Sequence, residues 1–472
     1  MKKMFYLILP LLFFSALLGQ VKNQKIESLI SKGEFARAEK MINDELVNNK
    51  NLSPIDKLDL KYEIERMDRI RIDFTKSEKD VLDYIKKYIP VVTKKDIKKW
   101  EDEKSLEVML IDGKKMYFNS AARNLFRINK ECREIKSKQD TSKPIEGFNL
   151  NNHLNEIISE ALQTNKMSVK PIRYRIDYSV TLNDGVVPAG EVVRCWLPFP
   201  REVEGRQEDI KIVSAYPENY ILSDNNSHMH RSLYSEQVVE NGKKVKYSVS
   251  FEYTCYAHYN KVDPQQVKPY NLNDVDYKKY TSQREPHIVF TDELKKISSE
   301  IVGDEKNPYL IARKIFAWVD GFAPWASARE YSTLRNIPMY CIENKHGDCG
   351  IQTLLFMTLA RMNGIPTKWQ SGWEPTTMHD WCQMFIEPFG WVPVDQSYGL
   401  QKSDDESVKW FYLGNIDSRR LIVNDDYSSL FYPAKMHPRS ETVDFQRGEL
   451  EWRGGNIYFK DWDYDFSMKE IK

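Results

Sequence analysis

The chain has 472 residues, and its 69 Lys plus Arg residues balance 69 Asp plus Glu residues, so the formal net charge is zero. A balanced charge gives no global basic field for binding nucleic acid. Hydrophobic residues make up 41% and aromatic residues 12% of the chain. This composition argues against extensive disorder and, at this length, permits about two to four domains.

The N-terminal sequence MKKMFYLILPLLFFSALLGQ has the layout of an export signal. Two lysines precede an apolar stretch from Met4 to Leu18, which is short for a membrane span and ends in small residues. We expect a signal peptide over residues 1–19 and a mature chain that begins at Gln20. The predicted location is secreted or periplasmic, without stable membrane insertion after cleavage. A retained membrane anchor is the alternative.

The predicted N-terminal region, residues 20–165, is helical and charged from about residue 25 to residue 129. The stretch ESLISKGEFARAEKMINDEL spaces its apolar residues as two helices around Gly33. This spacing is similar to a tetratricopeptide hairpin, but one such unit cannot stack into a solenoid. A plain helical cap or spacer is therefore favoured. Residues 133–166 are polar and predict a linker.

A β-sandwich is predicted over residues 166–265. Apolar and polar residues alternate in PIRYRIDYSVTL, residues 171–182, and in KVKYSVSFEYTCY, residues 244–256. This period of two is typical of half-buried antiparallel strands. Asn241-Gly242 is a hairpin signal just before the second run. Cys255 falls in phase with the apolar residues, so we expect it to be a buried hydrophobe.

The six cysteines do not form a disulfide framework in a chain of this length. No CxxC pair is present, so structural zinc is not expected. His228 and His230 lack a cysteine or carboxylate at ligand spacing. We therefore expect no metal and no cofactor.

Cys349 differs from the other cysteines because it lies in HGDCG, residues 346–350, directly before the apolar run IQTLLFMTLARMN. This pattern predicts a helix that begins at the cysteine, with Asp348 as its cap. The unpaired N–H groups of a helix start favour a thiolate and can receive an oxyanion. We expect Gly347 and Gly350 to let a substrate backbone approach closely.

A histidine and an aspartate follow at the two ends of a predicted hairpin. His379 opens HDWCQMFIEPFGWVPVDQSYG, in which EPFG is a turn and Asp395 ends the return strand. The hairpin would place His379 and Asp395 within cross-strand reach. Pro393 in the return strand implies a bulge or an edge position. Each residue alone is more often structural, and it is the ordered combination with Cys349 that predicts nucleophilic catalysis.

These motifs resemble those of the transglutaminase-like superfamily, which has a papain-like core. The matching residues are Gly347-Asp348-Cys349, His379-Asp380-Trp381 and Gly390 to Asp395, within about residues 308–400. The resemblance implies a catalytic triad of Cys349, His379 and Asp395. Cys382 and Gln383 depart from the family pattern, in which a small residue and a glutamate commonly stand at these positions. By strand parity Cys382 points away from the His379 face.

The predicted fold class is therefore α+β and multidomain. A papain-like transglutaminase core over residues 266–400 follows the antiparallel β-sandwich and the N-terminal helical region, and residues 401–472 form a C-terminal extension. No spacing selects a second oxyanion donor among Trp325, Tyr331 and Glu343.

A cysteine–histidine–aspartate triad performs acyl transfer through a thioester. We expect an exported peptidase or amidase that acts on a peptide, a protein or a cell-envelope amide. A protein-glutamine cross-linking acyltransferase is the first alternative, and a non-catalytic binding protein on the same fold is the second. We expect no nucleic-acid partner, and the sequence leaves the oligomeric state open.

Overall fold

The structure is a computed structural model that describes residues 24–139 and 148–472. The predicted signal peptide, residues 1–19, lies outside the described residues. Within the two described ranges, no helix is long and apolar enough to cross a membrane.

The N-terminal helical unit comprises residues 24–139 and encloses a hydrophobic core of its own. Ser53, Ser77 and Thr93 start helices with capping boxes, in which each side chain and an aspartate three residues later exchange hydrogen bonds. The elements are α1 Gln24–Ser31, α2 Phe35–Asn48, α3 Pro54–Asp73, α4 Glu78–Ile85, α5 Lys94–Asp102, β1 Val108–Ile111, β2 Lys114–Tyr117, α6 Ala121–Ile128 and α7 Lys130–Gln139. The short hairpin β1–β2 turns at Asp112-Gly113, a signal that the helical prediction overlooked.

The predicted linker over residues 133–166 is wrong, because this range contains the end of α7 and a further helix, α8 Leu150–Thr164. Leu154, Ile157, Ile158 and Ala161 lie on one face of α8 and are buried in the hydrophobic core formed mainly by residues 288–443. Their spacing has the period of a helix and outweighs the polar composition of the stretch.

The antiparallel β-sandwich follows α8. Its strands up to residue 258 are β3 Ser168–Leu182, β4 Val192–Pro198, β5 Gln207–Tyr216, β6 Ile221–Leu222, β7 Ser232–Val238 and β8 Lys246–His258. The two runs of alternating residues are β3 and β8, which pair with each other, and Cys255 is buried in β8 as predicted.

The segment from residue 275 to residue 424 combines helices with a second antiparallel sheet. Its elements are α9 Val275–Thr281, α10 Asp292–Val302, α11 Pro308–Phe322, α12 Ile337–Asn344, α13 Cys349–Met362, β9 Thr367–Glu374, β10 Thr377–Ile386, β11 Gly390–Val394, α14 Glu406–Lys409 and β12 Leu421–Asn424. The strand order of the sheet is β11-β10-β9-β12. Helix α13 is buried along almost its whole length and packs against β10.

The C-terminal residues return to the β-sandwich as β13 Glu449–Trp452, β14 Gly455–Ile457 and β15 Trp462–Ile471. The two sheets of the sandwich have the orders β14-β13-β4-β7-β6 and β15-β3-β8-β5. Trp373 of β9 packs into the core between them, so the sandwich and the mixed helix–sheet segment share buried contacts. This architecture confirms the predicted α+β multidomain fold class.

Candidate active site

Cys349 is the first residue of α13, as the sequence predicted. Asp348 caps the helix, because its Oδ1 accepts a hydrogen bond from the Ile351 N–H at 3.1 Å. The cysteine is half-buried, whereas the helix that follows it is packed inside the protein. The helix start therefore carries the thiol at the edge of the core.

His379 and Asp395 are brought together by the β10–β11 hairpin. Cys382 pairs with Val394, so Asp395 follows the end of β11 and lies diagonally across from His379. The His379 Nε2 is 2.7 Å from Asp395 Oδ2, and both side chains are buried. Strand β11 is at the edge of its sheet, which accommodates Pro393.

Arg420 contacts Asp395 at the same carboxylate oxygen that meets the histidine. Its Nη2 donates to Asp395 Oδ2 at 2.9 Å, and Nη1 lies 3.3 Å from Asp417 and 3.2 Å from Glu374. Burial acts to raise the pKa of Asp395, but His379 and Arg420 outweigh it and lower that pKa below its ordinary value. Asp395 is therefore held as a carboxylate.

The Cys349 thiol contacts the residue next to His379. Its Sγ donates to Asp380 Oδ2 at 3.4 Å. The structure thus joins His379 directly to Asp395, and it joins Cys349 to Asp380. Neither Asp380 nor Arg420 was predicted as a site residue, although Asp380 lies inside the HDW motif.

A cluster of buried acids surrounds this thiol contact. Asp380 accepts hydrogen bonds from Gln446 Nε2 at 2.7 Å and from Tyr331 Oη at 3.1 Å, and it forms a further side-chain hydrogen bond with Asp444. Tyr331 Oη also lies 2.8 Å from Asp348 Oδ1, and its single proton serves one of the two carboxyl groups at a time. Tyr331 therefore links the cap of the cysteine helix to the strand that carries His379.

Burial raises the pKa values of these acids. The pKa of Asp380 is raised to about 7, with the charge of Asp348 adding to the effect of burial. The pKa of Asp348 is raised to about 6, again mainly by burial. The pKa of Asp444 is raised well above its ordinary value by burial and by Asp380. Burial therefore favours the protonated form in this pair of contacting carboxyl groups.

These surroundings oppose the expected thiolate. Burial raises the pKa of Cys349 well above its ordinary value, and the charges of Asp380 and Asp348 raise it further. The helix start was expected to favour the ionised form. The thiol form of Cys349 is instead the favoured one.

The two glycines around Cys349 make room for the protein's own side chains. A Cβ at Gly350 would lie 2.2 Å from Tyr331 Oη and 2.7 Å from Asp380 Oδ2. A Cβ at Gly347 would lie 2.4 Å from a methyl group of Ile351. The structure thus gives these glycines a packing role, whereas the sequence suggested room for a substrate backbone.

All six cysteines are free, and five of them are buried. Among the described residues, no group of three or more His, Cys, Asp and Glu side chains is arranged to hold a metal ion.

Residues 295–396 match the core model of the Transglutaminase-like superfamily. The matched range contains Cys349, His379 and Asp395, and it confirms the resemblance predicted from the three motifs. This part of the chain is a transglutaminase-like core.

A crystal structure of a proposed cysteine protease from Cytophaga hutchinsonii is similar to this chain, with a TM-score of 0.44 and 13% sequence identity. The similarity covers 65% of this chain and 92% of that chain. No curated protein matches the chain in sequence. The assignment of the core therefore rests on the family match and on the three motifs.

Proposed function

We propose that the protein is an exported cysteine hydrolase that cleaves amide bonds through a thioester, with Cys349, His379 and Asp395 as its catalytic triad. The observation that carries this proposal is the buried pair of His379 and Asp395, 2.7 Å apart, in the same core as a cysteine at a helix start. Packing alone does not require a buried imidazole, carboxylate and guanidinium to be in contact.

In this mechanism, the Cys349 sulfur loses its proton and attacks the carbonyl carbon of the substrate. With Nε2 of His379 engaged by Asp395, Nδ1 is the ring nitrogen left to exchange a proton with the sulfur and the leaving amine. The C–N bond breaks, the amine leaves with the proton from the imidazolium, and a thioester remains on sulfur. Water then hydrolyses the thioester and restores the thiol.

The carboxylate of Asp395 stabilises the imidazolium that forms between these steps. Arg420 keeps that carboxylate ionised and fixes its direction, because Nη2 occupies the same oxygen that meets His379. Arg420 does not touch a reacting atom in this scheme, so it is a positioning residue.

The proposed substrates are a peptide, a protein or a cell-envelope amide, and the proposed location is outside the cytoplasm. A cross-linking acyltransferase would share every step except the last, in which an amine replaces water as the acceptor. Mass spectrometry of the protein mixed with a set of peptides and cell-wall amides would reveal an acyl group on Cys349. Ammonia release and amine incorporation from a glutamine substrate would identify the acyltransferase.

Two variants make this experiment decisive. Cys349→Ala should form no acyl-enzyme, whereas Cys341→Ala, which removes a buried thiol from α12, should still form one. An acyl group on another residue, or turnover that survives in Cys349→Ala, would overturn the proposal.

A further inference from the structure

The N-terminal helical unit packs against the loop formed by residues 323–335, which leads towards the cysteine helix. Asn124 of α6 and Ser327 of the loop exchange hydrogen bonds between the side-chain amide and the backbone, at 2.8 and 3.1 Å. Tyr62 of α3 donates to the Ser332 carbonyl at 3.0 Å. The unit is therefore fixed to a wall of the candidate active site.

Arg127 of α6 projects onto this wall. Its guanidinium lies 4.6 Å from the centre of the Trp325 ring, and Nη1 donates to Ser327 Oγ at 2.9 Å. Trp325 forms a parallel bridge with Gly347, two residues before Cys349, and 43% of Trp325 is exposed. A guanidinium and an accessible aromatic ring thus stand beside the segment that carries the thiol.

The charge of Arg127 has no acidic partner in the structure. Among the described residues, no carboxylate forms an ion pair with Arg127 or with its neighbour Arg123 on α6. Burial lowers the pKa of Arg127, and the charge of Arg123 lowers it further. A half-buried cation next to a second cation is unfavourable unless a negative group joins it. The guanidinium of Arg127 has five N–H donors, and the hydrogen bond to Ser327 uses one of them.

We propose that Arg127, supported by Arg123 and Trp325, forms a subsite for a carboxylate of the substrate. This inference rests on the proposed function and adds a substrate class, namely peptides or amides with an acidic group near the scissile bond. A guanidinium binds a carboxylate through two parallel hydrogen bonds, which an uncharged amide cannot replace. Because Gly347 is two residues from Cys349, the acidic group falls within about three residues of the reacting amide.

The test uses two alkylating reagents that differ in one group, bromoacetyl-glutamate amide and bromoacetyl-glutamine amide. Each forms a thioether with the Cys349 sulfur and releases bromide, so the measurement needs no turnover. In the wild-type protein we expect the glutamate reagent to react about tenfold faster than in Arg127→Gln, while the glutamine reagent reacts equally with both. Arg127→Lys should fall between them, because a lysine keeps the charge but not the paired hydrogen bonds.

Arg37→Gln is the matched control, because Arg37 is an exposed arginine on α2 that already pairs with Glu34. It should leave both rates unchanged. If Arg127→Gln slows both reagents equally, Arg127 only supports the loop, and the subsite does not exist. If it slows neither, the proposal is also overturned.

These outcomes are separate from those of the proposed function. A binding protein with this subsite would favour the glutamate reagent yet form no acyl-enzyme. A hydrolase without the subsite would form an acyl-enzyme and treat the two reagents alike.

Discussion

The Sγ of Cys349 donates a hydrogen bond to Oδ2 of Asp380, and the two atoms are 3.4 Å apart. Asp380 is adjacent to His379, which is itself paired with Asp395. The carboxylate nearest in sequence to the histidine thus acts on the sulfur, whereas the carboxylate sixteen residues later in the chain acts on the imidazole. One acid raises the pKa of the thiol, and the other holds the imidazole through a hydrogen bond.

Asp380→Asn should make Cys349 more reactive. The substitution removes a negative charge that opposes ionisation of the thiol, and its amide keeps a similar shape. Near neutral pH we expect iodoacetamide to react with Cys349 ~10-fold faster, because one pKa unit changes the thiolate fraction tenfold. The pH at which the iodoacetamide reaction reaches half of its maximal rate, the midpoint, should also be lower than in the wild type. Asp425→Asn, which removes an acid paired with Lys368, should leave the midpoint unchanged. A higher midpoint in Asp380→Asn would show that Asp380 assists ionisation.

The buried pair of Asp380 and Asp444 should make the stability of the protein depend on pH. The pKa of Asp380 rises from 3.8 to about 7 on folding, so its stabilising contribution is complete below about pH 4 and is lost as the pH rises through about 7. In Asp444→Asn, the amide of the new side chain can still donate a hydrogen bond to Asp380, but one ionisable carboxyl group is lost. Between about pH 5 and pH 8, we expect the free energy of unfolding to fall less in this variant, by on the order of 1–2 kcal/mol.

Urea unfolding at the two pH values measures this difference. Asp83→Asn is the control, since Asp83 is an exposed acid on α4. If the free energy of unfolding falls equally between the two pH values in the wild type and in Asp444→Asn, this role of the Asp380–Asp444 pair is contradicted.

The proposed triad should behave as one unit. Cys349→Ala should abolish turnover of any substrate that forms an acyl-enzyme, and His379→Ala should reduce it by roughly 10³-fold or more. Asp395→Asn should be milder or comparable, because it keeps a hydrogen-bond partner but loses the charge. The double variant of Cys349 and His379 should be no worse than Cys349→Ala. Additive losses in steady-state rates would show that the residues act independently.

Arg420→Met should reduce both stability and activity. Arg420 is buried and contacts Asp395, Asp417 and Glu374, so its removal leaves buried carboxylates without a cation. We expect a loss of about 3–5 kcal/mol in the free energy of unfolding. Arg419→Met is a suitable control because the neighbouring Arg419 is half-buried and pairs with the exposed Glu470. Equal unfolding midpoints for the two variants would contradict this role of Arg420.

Gly350→Ala should destabilise the site, although alanine is the better helix former. The added Cβ would meet Tyr331 Oη and Asp380, and such overpacking costs about 1–3 kcal/mol. Gly321→Ala is the matched control, because Gly321 lies in helix α11 with nothing within 4 Å of the added Cβ. That variant should be more stable by about 0.5–1 kcal/mol. Thermal unfolding that ranks the two variants in the opposite order would refute this packing role.

The local elements of the core followed from short patterns. Asp348 and the apolar run predicted the start of α13, and the turn before Gly390 predicted the hairpin that joins His379 to Asp395. These features depend on residues close in sequence, where caps, turns and periodicity apply.

Arg420 and Asp444 lie in the stretch predicted only as a C-terminal extension, and no spacing rule connects them to the motifs. They reach the site because β12 pairs with β9, and because the chain after β12 returns to contact β10, where Gln446 donates to Asp380. The raised pKa of Cys349 could not be predicted for the same reason, since it depends on burial and on charges assembled by the fold.

The pairing of β15 with β3 has a consequence for the order of synthesis. Strand β3 leaves the ribosome before the transglutaminase-like core, whereas the ten residues of β15 are made only after that core. One long edge of β3 therefore stays open while nearly three hundred residues are added, and an open edge is a template for pairing with another chain. A premature stop after the core would leave every residue of the proposed triad in place and still produce a chain prone to aggregation.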